Sequence, residues 1–287
     1  MFRIVDDTIS SKTKPSSQTL HPIEYAYFHQ SHLKGRQDYG HQAVVIRLSC
    51  NGIVLNYAIV MYDKYKSKIK IVQEIADELP VALVISYFLC DNWYTCGGYH
   101  GRFYQKKGFY TIGALKTNQV LYPCGIKQKV SELALHLWKT DAGVSLVTVG
   151  SRSYYVYRYE GSLNGVENAV ALISYPKDAF HASKALRAFI STDVFLSIQE
   201  ILDKYVEHWT VEVFFHQSRD KLSFDRYQVR SLKGIQRYWL LMSLAHLIVC
   251  TGCGQIMSFE GGYAYIYSHI QEEWLRFIYQ CGAKNVF

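Results

Sequence analysis

No uninterrupted apolar run of about 18 residues occurs in the sequence, which excludes a membrane-spanning helix of ordinary length. The opening MFRIVDDTIS has neither the long apolar region nor the small-residue cleavage site of a secretory leader, so the expected location is the cytoplasm, with no membrane partner. Cysteines are few and unpaired in spacing. Seven occur, at 50, 90, 96, 124, 250, 253 and 281, an odd number that fits reduced thiols rather than a disulfide framework. Cys250 and Cys253 have the spacing of a zinc half-site, but no second pair follows, so structural zinc is not expected. The 11 histidines are scattered without ligand spacing, which argues against zinc hydrolysis. No internal repeat is present.

What remains is a chain of 287 residues, 49% hydrophobic, enough for one large domain or one domain with an insertion. Its formal net charge of +7 favours a polyanionic partner. The 24 Tyr and 5 Trp residues could stack on bases, although tyrosine also fills amphipathic strands.

Residues 2–5 form a short apolar strand that stops at Asp6-Asp7-Thr8. Residues 10–40, polar and punctuated by Pro15, Pro22 and Gly35, read as an irregular connection. Two β-like runs, 42–50 and 53–62, flank Asn51-Gly52, a strong hairpin signal. Ile69, Val72, Ile75, Ala76 and Leu79 share one side of a predicted helix over 67–79, which Pro80 ends. Residues 81–90 (VALVISYFLC) are nearly continuously apolar, as in a strand buried on both faces, and lead into Asp91. A helix-like segment at 99–107 and a strand at 109–115 complete a β-α-β unit. Sites in such sheets form at the carboxyl ends of the strands, where Asp91 stands.

Between about 117 and 180 the texture becomes short alternating runs separated by Gly143, Gly150, Gly161 and Gly165. The predicted organisation is therefore a first core part at 1–116, a β-rich insertion at 117–182, a second core part at 183–250 and a loosely structured tail at 251–287 with a short helix at 267–280.

The stretch from Ser197 to Lys221 reads as one amphipathic helix. Ile198, Ile201, Leu202, Tyr205 and Trp209 recur at three- and four-residue steps, which puts Trp209 in the core or, alternatively, against a nucleotide. At roughly 100° per residue, Tyr205, His208, Glu212 and Arg219 fall within about 60° of one another. A carboxylate on that stripe needs compensation, by a buried ion pair or by metal ions. Asp6 (or Asp7), Asp91 and Glu212 thus stand at the ends of three core elements. Three converging carboxylates are what a pair of Mg2+ ions requires to clamp the attacking and leaving oxygens of a phosphodiester.

The layout resembles the DDE transposases of bacterial insertion sequences. That family's long helix carries Tyr-x2-Arg-x3-Glu-x6-Lys. Here the positions hold Tyr205, His208, Glu212 and Arg219, with the spacing kept and two of the four residues changed. VDDTI is similar to the family's first-strand motif and selects Asp6 over Asp7, while FLCDNWY is similar to the second and selects Asp91. The resemblance implies an α/β, RNase H-like mixed sheet flanked by helices, with an inserted all-β subdomain. It further implies cleavage and transfer of double-stranded DNA at transposon ends and target, by a homodimer on DNA. Asp6, Asp91 and Glu212 would be the catalytic ligands of two Mg2+ ions, for which Mn2+ could substitute. Tyr205, His208 and Arg219 would hold phosphates, with His208 largely neutral where the family has an always-charged arginine.

Arg226, Arg230, Lys233 and Arg237 recur at three- and four-residue steps, as a DNA phosphate track or an ordinary solvated face. Trp138, Arg152, Tyr154, Tyr155 and Arg158 offer an aromatic and basic surface for an opened DNA end, or a half-buried sheet. The family usually has a helical DNA-end-binding region ahead of the first strand, and this sequence begins at the strand, which suggests a shortened form. Two alternatives stay open: a truncated, inactive remnant that at most binds DNA, and a nuclease of the same fold that cuts without joining.

Overall fold

A computed structural model describes residues 1–20, 22–31, 34–95, 107–163, 166–252 and 254–284. The predicted helix at 99–107 falls outside the described residues except for its last position, and Cys253 falls outside them too. The chain divides into two compact units, residues 1–8 with 42–213, and residues 9–41 with 214–287.

The first unit is built on a mixed sheet. Its strands are β1 (Phe2–Ser11, of which 2–8 belong here), β3 (Arg36–Cys50, from 42), β4 (Ile53–Tyr62), β5 (Ser86–Cys90), β6 (Phe109–Ala114), β9 (Val144–Val149), β10 (Arg152–Leu163), β11 (Val166–Pro176) and β12 (Arg187–Ser191). Their order is β4-β3-β1-β5-β6-β12-β11-β10-β9. The central pairs β1–β5 and β5–β6 are parallel, and β6–β12, β12–β11, β11–β10 and β10–β9 are antiparallel. The strands at 144–176 thus continue the central sheet through β12. Two-residue strands β7 (Val120–Leu121) and β8 (Gln128–Lys129) pair separately.

Local chemistry explains the elements. Asn51 and Gly52 both take positive φ (50° and 80°), as a two-residue hairpin turn between Cys50 and Ile53 requires. Helix α1 (Lys68–Glu78) starts where Ser67 accepts the Lys70 N–H, and buries Ile71, Val72, Ile75 and Ala76 against Val5, Val44, Phe88 and Cys90. Helix α2 (Val130–His136), unforeseen within the alternating region, buries Val130, Leu133 and Ala134 against β10 to β12. Helix α3 (Ile198–Val206) opens with a capping box between Ser197 and Glu200 and rests on β6 and β9.

In the second unit β2 (Tyr27–Ser31) pairs antiparallel with residues 36–40 of β3. Helix α5 (Leu232–Thr251) buries Ile235, Trp239 and Met242, with Phe224 stacked on Trp239 at 5.5 Å. Helix α6 (Phe259–Lys284) begins on α5, where the Phe259 ring stacks on His246. Helix α4 (Trp209–Lys221) contributes residues to both units.

Several expectations are corrected. Strand β1 does not stop at Val5; it runs through both acids to Ser11, because residues 36–50 provide a neighbouring strand. The supposed irregular connection at 10–40 contains β2 and the start of β3. The strand predicted at 81–90 is regular only from Ser86, and Val81, Leu83, Val84 and Ile85 are exposed. The tail is not loose, since α6 holds 26 residues. The single long helix is two. Hydrogen bonds from His208 N–H to Tyr205 O, Thr210 N–H to Glu207 O and Val211 N–H to His208 O tighten the chain into a turn that separates α3 from α4.

Candidate active site

The site lies in the first unit, at the carboxyl end of β5 and part-way along β1, where the pairing of the two strands ends. Their parallel register ends with Val5 opposite Cys90, so Asp6 and Asp91 are the next residues on adjacent strands. Gly113 on β6 lets the loop after β5 close down, because a Cβ there would meet Thr95 Cγ2 at 2.5 Å and Cys90 Sγ at 2.9 Å. Thr95 Oγ1 donates to Ala114 O at 2.7 Å and anchors that loop. Within it the Asp91 carboxylate accepts the Trp93 N–H at 2.9 Å, an Asx turn that fixes the side chain.

Glu212 enters from α4. The start of that helix is fastened twice. His208 Nε2 lies 3.2 Å from Val5 O, the carbonyl next to Asp6, and Arg47, buried on β3, donates to Thr210 O at 2.6 Å. One turn past His208 comes Glu212, half-buried. The Tyr205 ring stacks on His208 at 5.5 Å with 5° between planes.

Electrostatics tie these groups together. Burial pushes the Asp6 carboxyl well above the usual range, and the charges of Asp91, Asp7 and Glu212 push it further, against the Asp7 N–H that it accepts at 2.7 Å. Asp91 is raised first by burial and also by Asp7, with the Trp93 N–H opposing. Burial lowers His208, opposed by the Val5 carbonyl and the charges of Asp91 and Glu212, so the ring is neutral near pH 7 and Nε2 carries the proton it donates. Tyr205 is raised by burial and feels Asp91 and Asp6. Asp7 is different. Lys68 Nζ pairs with it at 2.8 Å, Tyr94 donates at 2.9 Å, and Gln42 donates to its other oxygen.

Among the described residues Asp6, Asp91 and Glu212 form no ion pair. Nor do any three His, Cys, Asp or Glu side chains among them close to the spacing of a metal cluster. The donor chemistry nevertheless fits a hard divalent cation, since oxygen ligands are what such ions take and two neighbouring carboxylates, Asp6 buried and Asp91 half-buried, need a positive charge.

Residues 1–248 match the transposase DDE domain family. The chain belongs to that family. No curated protein matches the chain at a significant level. The mixed sheet flanked by helices is the α/β, RNase H-like core of a DDE transposase domain, part of the machinery of DNA transposition and recombination at insertion sequences. DDE transposases act on DNA and generally use divalent metal ions. No helix among the described residues is long and apolar enough to cross a membrane.

In this transposase domain Asp6, Asp91, Glu212, Tyr205 and His208 gather in the first unit. Arg219, Arg226 and Arg230 belong to the second. There Arg219 Nη2 lies 3.5 Å from Ile9 O, and Arg226, Arg230, Lys233 and Arg237 are exposed. Only Lys233 and Arg237 sit on a helix, so the helical spacing read from 226 onward holds for those two alone.

Trp209 is not core: it is 68% exposed, because the turn at Glu207 and His208 rotates the stripe and buries His208 instead. Arg158 is drawn inward, donating to Val194 O and Leu196 O at 2.7 Å, which holds the loop before α3. Trp138 and Arg152 are exposed, and Tyr154 and Tyr155 are half-buried.

Sequence reasoning missed Lys68, Tyr94 and Gln42, whose link to Asp7 spans up to 87 residues of chain and leaves no local signal. It also missed Trp93, exposed beside Asp91, with Lys68 Nζ 4.6 Å and Lys116 Nζ 5.2 Å from its ring centre. The DNWY string was the available clue.

Proposed function

We propose that this domain cleaves DNA strands at the ends of an insertion sequence and joins them to a target. Asp6, Asp91 and Glu212 are the proposed ligands of two Mg2+ ions, replaceable by Mn2+. The observation that carries the reading is the pair of carboxyls, buried Asp6 and half-buried Asp91, side by side where the parallel pairing of β1 with β5 ends, both raised by burial and Asp6 also by the charge of Asp91. Two divalent ions supply a lowered pKa at the attacking water or 3′-hydroxyl and stabilise the leaving oxyanion.

The chain's own groups prepare the site. Asp7, tied to Lys68, Tyr94 and Gln42, holds the strand so that Asp6 faces inward. His208 and Arg47 set the start of α4 and hence the reach of Glu212. Trp93 offers an exposed face for a base, flanked by two ammonium groups for phosphates. Tyr205, Arg219, Arg226 and Arg230 are the further proposed DNA contacts, and residues 117–182 the proposed β-rich insertion. The working form is a homodimer on DNA, in the cytoplasm.

The test is Mn2+-supported nicking of DNA spanning the gene and its flanks, beside Glu212→Gln. Cleavage lost in the variant with DNA binding retained is the expected result; nicking by the variant would overturn the assignment. A second reading, a domain that binds DNA without cutting it, draws on His208. A neutral ring bound to a backbone carbonyl cannot clamp a phosphate as an arginine does. Metal-independent DNA binding with no cleavage by the wild-type protein is the outcome that reading requires.

A further inference from the structure

In the second unit β2 and the first residues of β3 form a two-stranded ribbon, with Phe28 opposite Tyr39, His29 opposite Asp38 and Gln30 opposite Gln37. Side chains alternate between its two faces. One face is turned inward: His29 and Ser31 are buried, and Asp38, the only acid among the paired residues, accepts from Ser11 Oγ and from Lys34 Nζ at 2.7 Å. The other face is uncovered. Gln30 and Gln37 are exposed, and Phe28, 47% exposed, meets the Tyr39 ring edge-on at 5.2 Å. Edge strands usually carry charge that keeps other molecules off, and the strand residues of this face carry none.

The ribbon is held firmly at its foot and ringed with cations. Gly40 lies so close to β1 that a Cβ would collide with the Ser10 carbonyl, and Lys12 N–H donates to Tyr39 O at 2.7 Å. His41, two residues past Tyr39 and so on the same face, has the Tyr227 hydroxyl 2.7 Å from Nδ1. The segment around Tyr227 therefore packs on the foot of the uncovered face. Lys12 Nζ fastens it by donating to the carbonyls of Asp225 and Tyr227, and Glu24 N–H donates to Arg230 O. Arg226 and Arg230, both exposed, are brought to the ribbon by that segment. Lys14, with Nζ 5.5 Å from the Phe28 ring centre, and Arg36 are exposed there too. Cations around a neutral face that bears two amides fit a polyanion whose bases are read between its phosphates.

Geometry selects the groove. A two-stranded ribbon fits the ~12 Å major groove of B-form DNA and not the ~6 Å minor groove. Directly opposed residues such as Gln30 and Gln37 have Cβ atoms ~5 Å apart, within reach of neighbouring base pairs. A glutamine amide pairs bidentately with N6 and N7 of adenine, and an apolar side chain such as Phe28 meets the thymine methyl. We propose that the β2–β3 ribbon enters the major groove of duplex DNA, where Gln30 and Gln37 read adjacent adenines and Lys14, Arg36, Arg226 and Arg230 hold the flanking phosphates. The inference rests on the DNA substrate proposed above and adds the element that chooses its sequence.

The test is selection from a pool of randomised DNA duplexes by the full chain in EDTA, followed by binding isotherms on the selected duplex and on a scrambled one. The wild type is expected to prefer the selected duplex, with adenine at two neighbouring positions. Gln30→Ala and Gln37→Ala should each weaken binding of the selected duplex about tenfold or more and leave the scrambled one unchanged. Gln271→Ala, exposed on α6, should match the wild type, and unchanged melting temperatures would show that the ribbon variants are folded. Placing 7-deazaadenine at either position removes the N7 acceptor, so it should weaken the wild type by a similar factor and leave the matching variant unmoved. Arg36→Ala should weaken both duplexes alike and lower the salt slope by about one. Duplex RNA of the same sequence, whose major groove is too narrow for side chains, should not compete. A wild type without preference among duplexes overturns the proposal, as do ribbon variants that keep the full preference, or tighter binding to RNA or single strands. A preference that depends on Gln30 and Gln37 in a protein that never nicks DNA supports the ribbon and overturns the cleavage reading alone.

Discussion

Asp6→Asn is expected to make the metal-depleted protein more stable while ending its chemistry. Asparagine keeps the Oδ1 acceptor for the Asp7 N–H, so the substitution removes charge and little else. Neighbouring strands lie ~4.8 Å apart, and two unit charges at ~5–6 Å with an effective dielectric near 20 repel by about 3 kcal/mol. Because Asp91 is only half-buried and solvent screens part of its charge, about 2 kcal/mol of that is recoverable, or ~4–8 °C in melting temperature for a chain of this size.

The assay is thermal unfolding at pH 7.5 in EDTA and then in Mg2+. In Mg2+ the order should reverse: an ion at a hundredfold its dissociation constant stabilises the wild type by about 2.7 kcal/mol and leaves the variant nearly unmoved. Asp7→Asn is the control. It breaks the pair with Lys68, in which both side chains are largely buried, and should lower stability by about 2–3 kcal/mol with or without metal. An Asp6→Asn protein that melts lower than wild type in EDTA would refute the reasoning, since the carboxylate would then be satisfied by the fold itself.

Arg47→Met removes the charged donor to Thr210 O and should cost about 1.5–3 kcal/mol, with a fall in the nicking rate larger than any loss of DNA affinity; single-turnover rates beside binding isotherms check it. Trp93→Ala should weaken single-stranded DNA binding by about 1–3 kcal/mol without changing the melting temperature, by fluorescence titration against unfolding. In the second unit, Ser10 donates to Tyr227, Tyr227 lies 2.7 Å from His41 Nδ1, and His41 Nε2 faces Glu24 O, so the buried ring is held neutral with its proton on Nε2. The unfolded chain, with an ordinary histidine, binds a proton in the range where the folded one does not. Stability from this group is therefore complete above pH 6.5 and is lost as pH falls through the lowered value, an acid sensitivity that His41→Gln should reduce in urea titrations across pH.

The parts of the fold that were legible are those decided locally. Asn51-Gly52 dictates its turn by backbone preference, and Ser67 and Pro80 bracket α1 with capping chemistry that needs no distant partner. What was not legible depends on residues far away in the chain. Residues 27–31 and 36–40 carry few apolar side chains and became strands by pairing with each other beside β1, which extends past Asp6 to Ser11 and is followed by Lys12, whose N–H donates to Tyr39 O. The stretch 81–85 looks like core by composition, yet Val81, Leu83, Val84 and Ile85 are exposed, since hydrophobicity marks what a residue prefers and not which neighbour reaches it.

The candidate site shows the same division. Asp6 and Asp91 were recognisable as acids ending apolar runs, whereas the parallel register of β1 with β5 that sets them side by side joins strands far apart in the chain. Glu212 was reached by an argument whose geometry does not hold, a continuous stripe from Tyr205 through Trp209. The chain turns at Glu207 and His208, Trp209 faces outward, and Glu212 comes near Asp6 because His208 is fastened to the carbonyl of Val5. The spacing from 208 to 212 survives the break since it lies almost wholly within α4, while the spacing from 205 to 208 survives as a ring stack across the turn. A position read as a phosphate clamp is, in this chain, a strut between the first strand and the helix that carries the third acid. Replacing His208 would for that reason disturb the placement of Glu212 before it disturbed any contact with DNA.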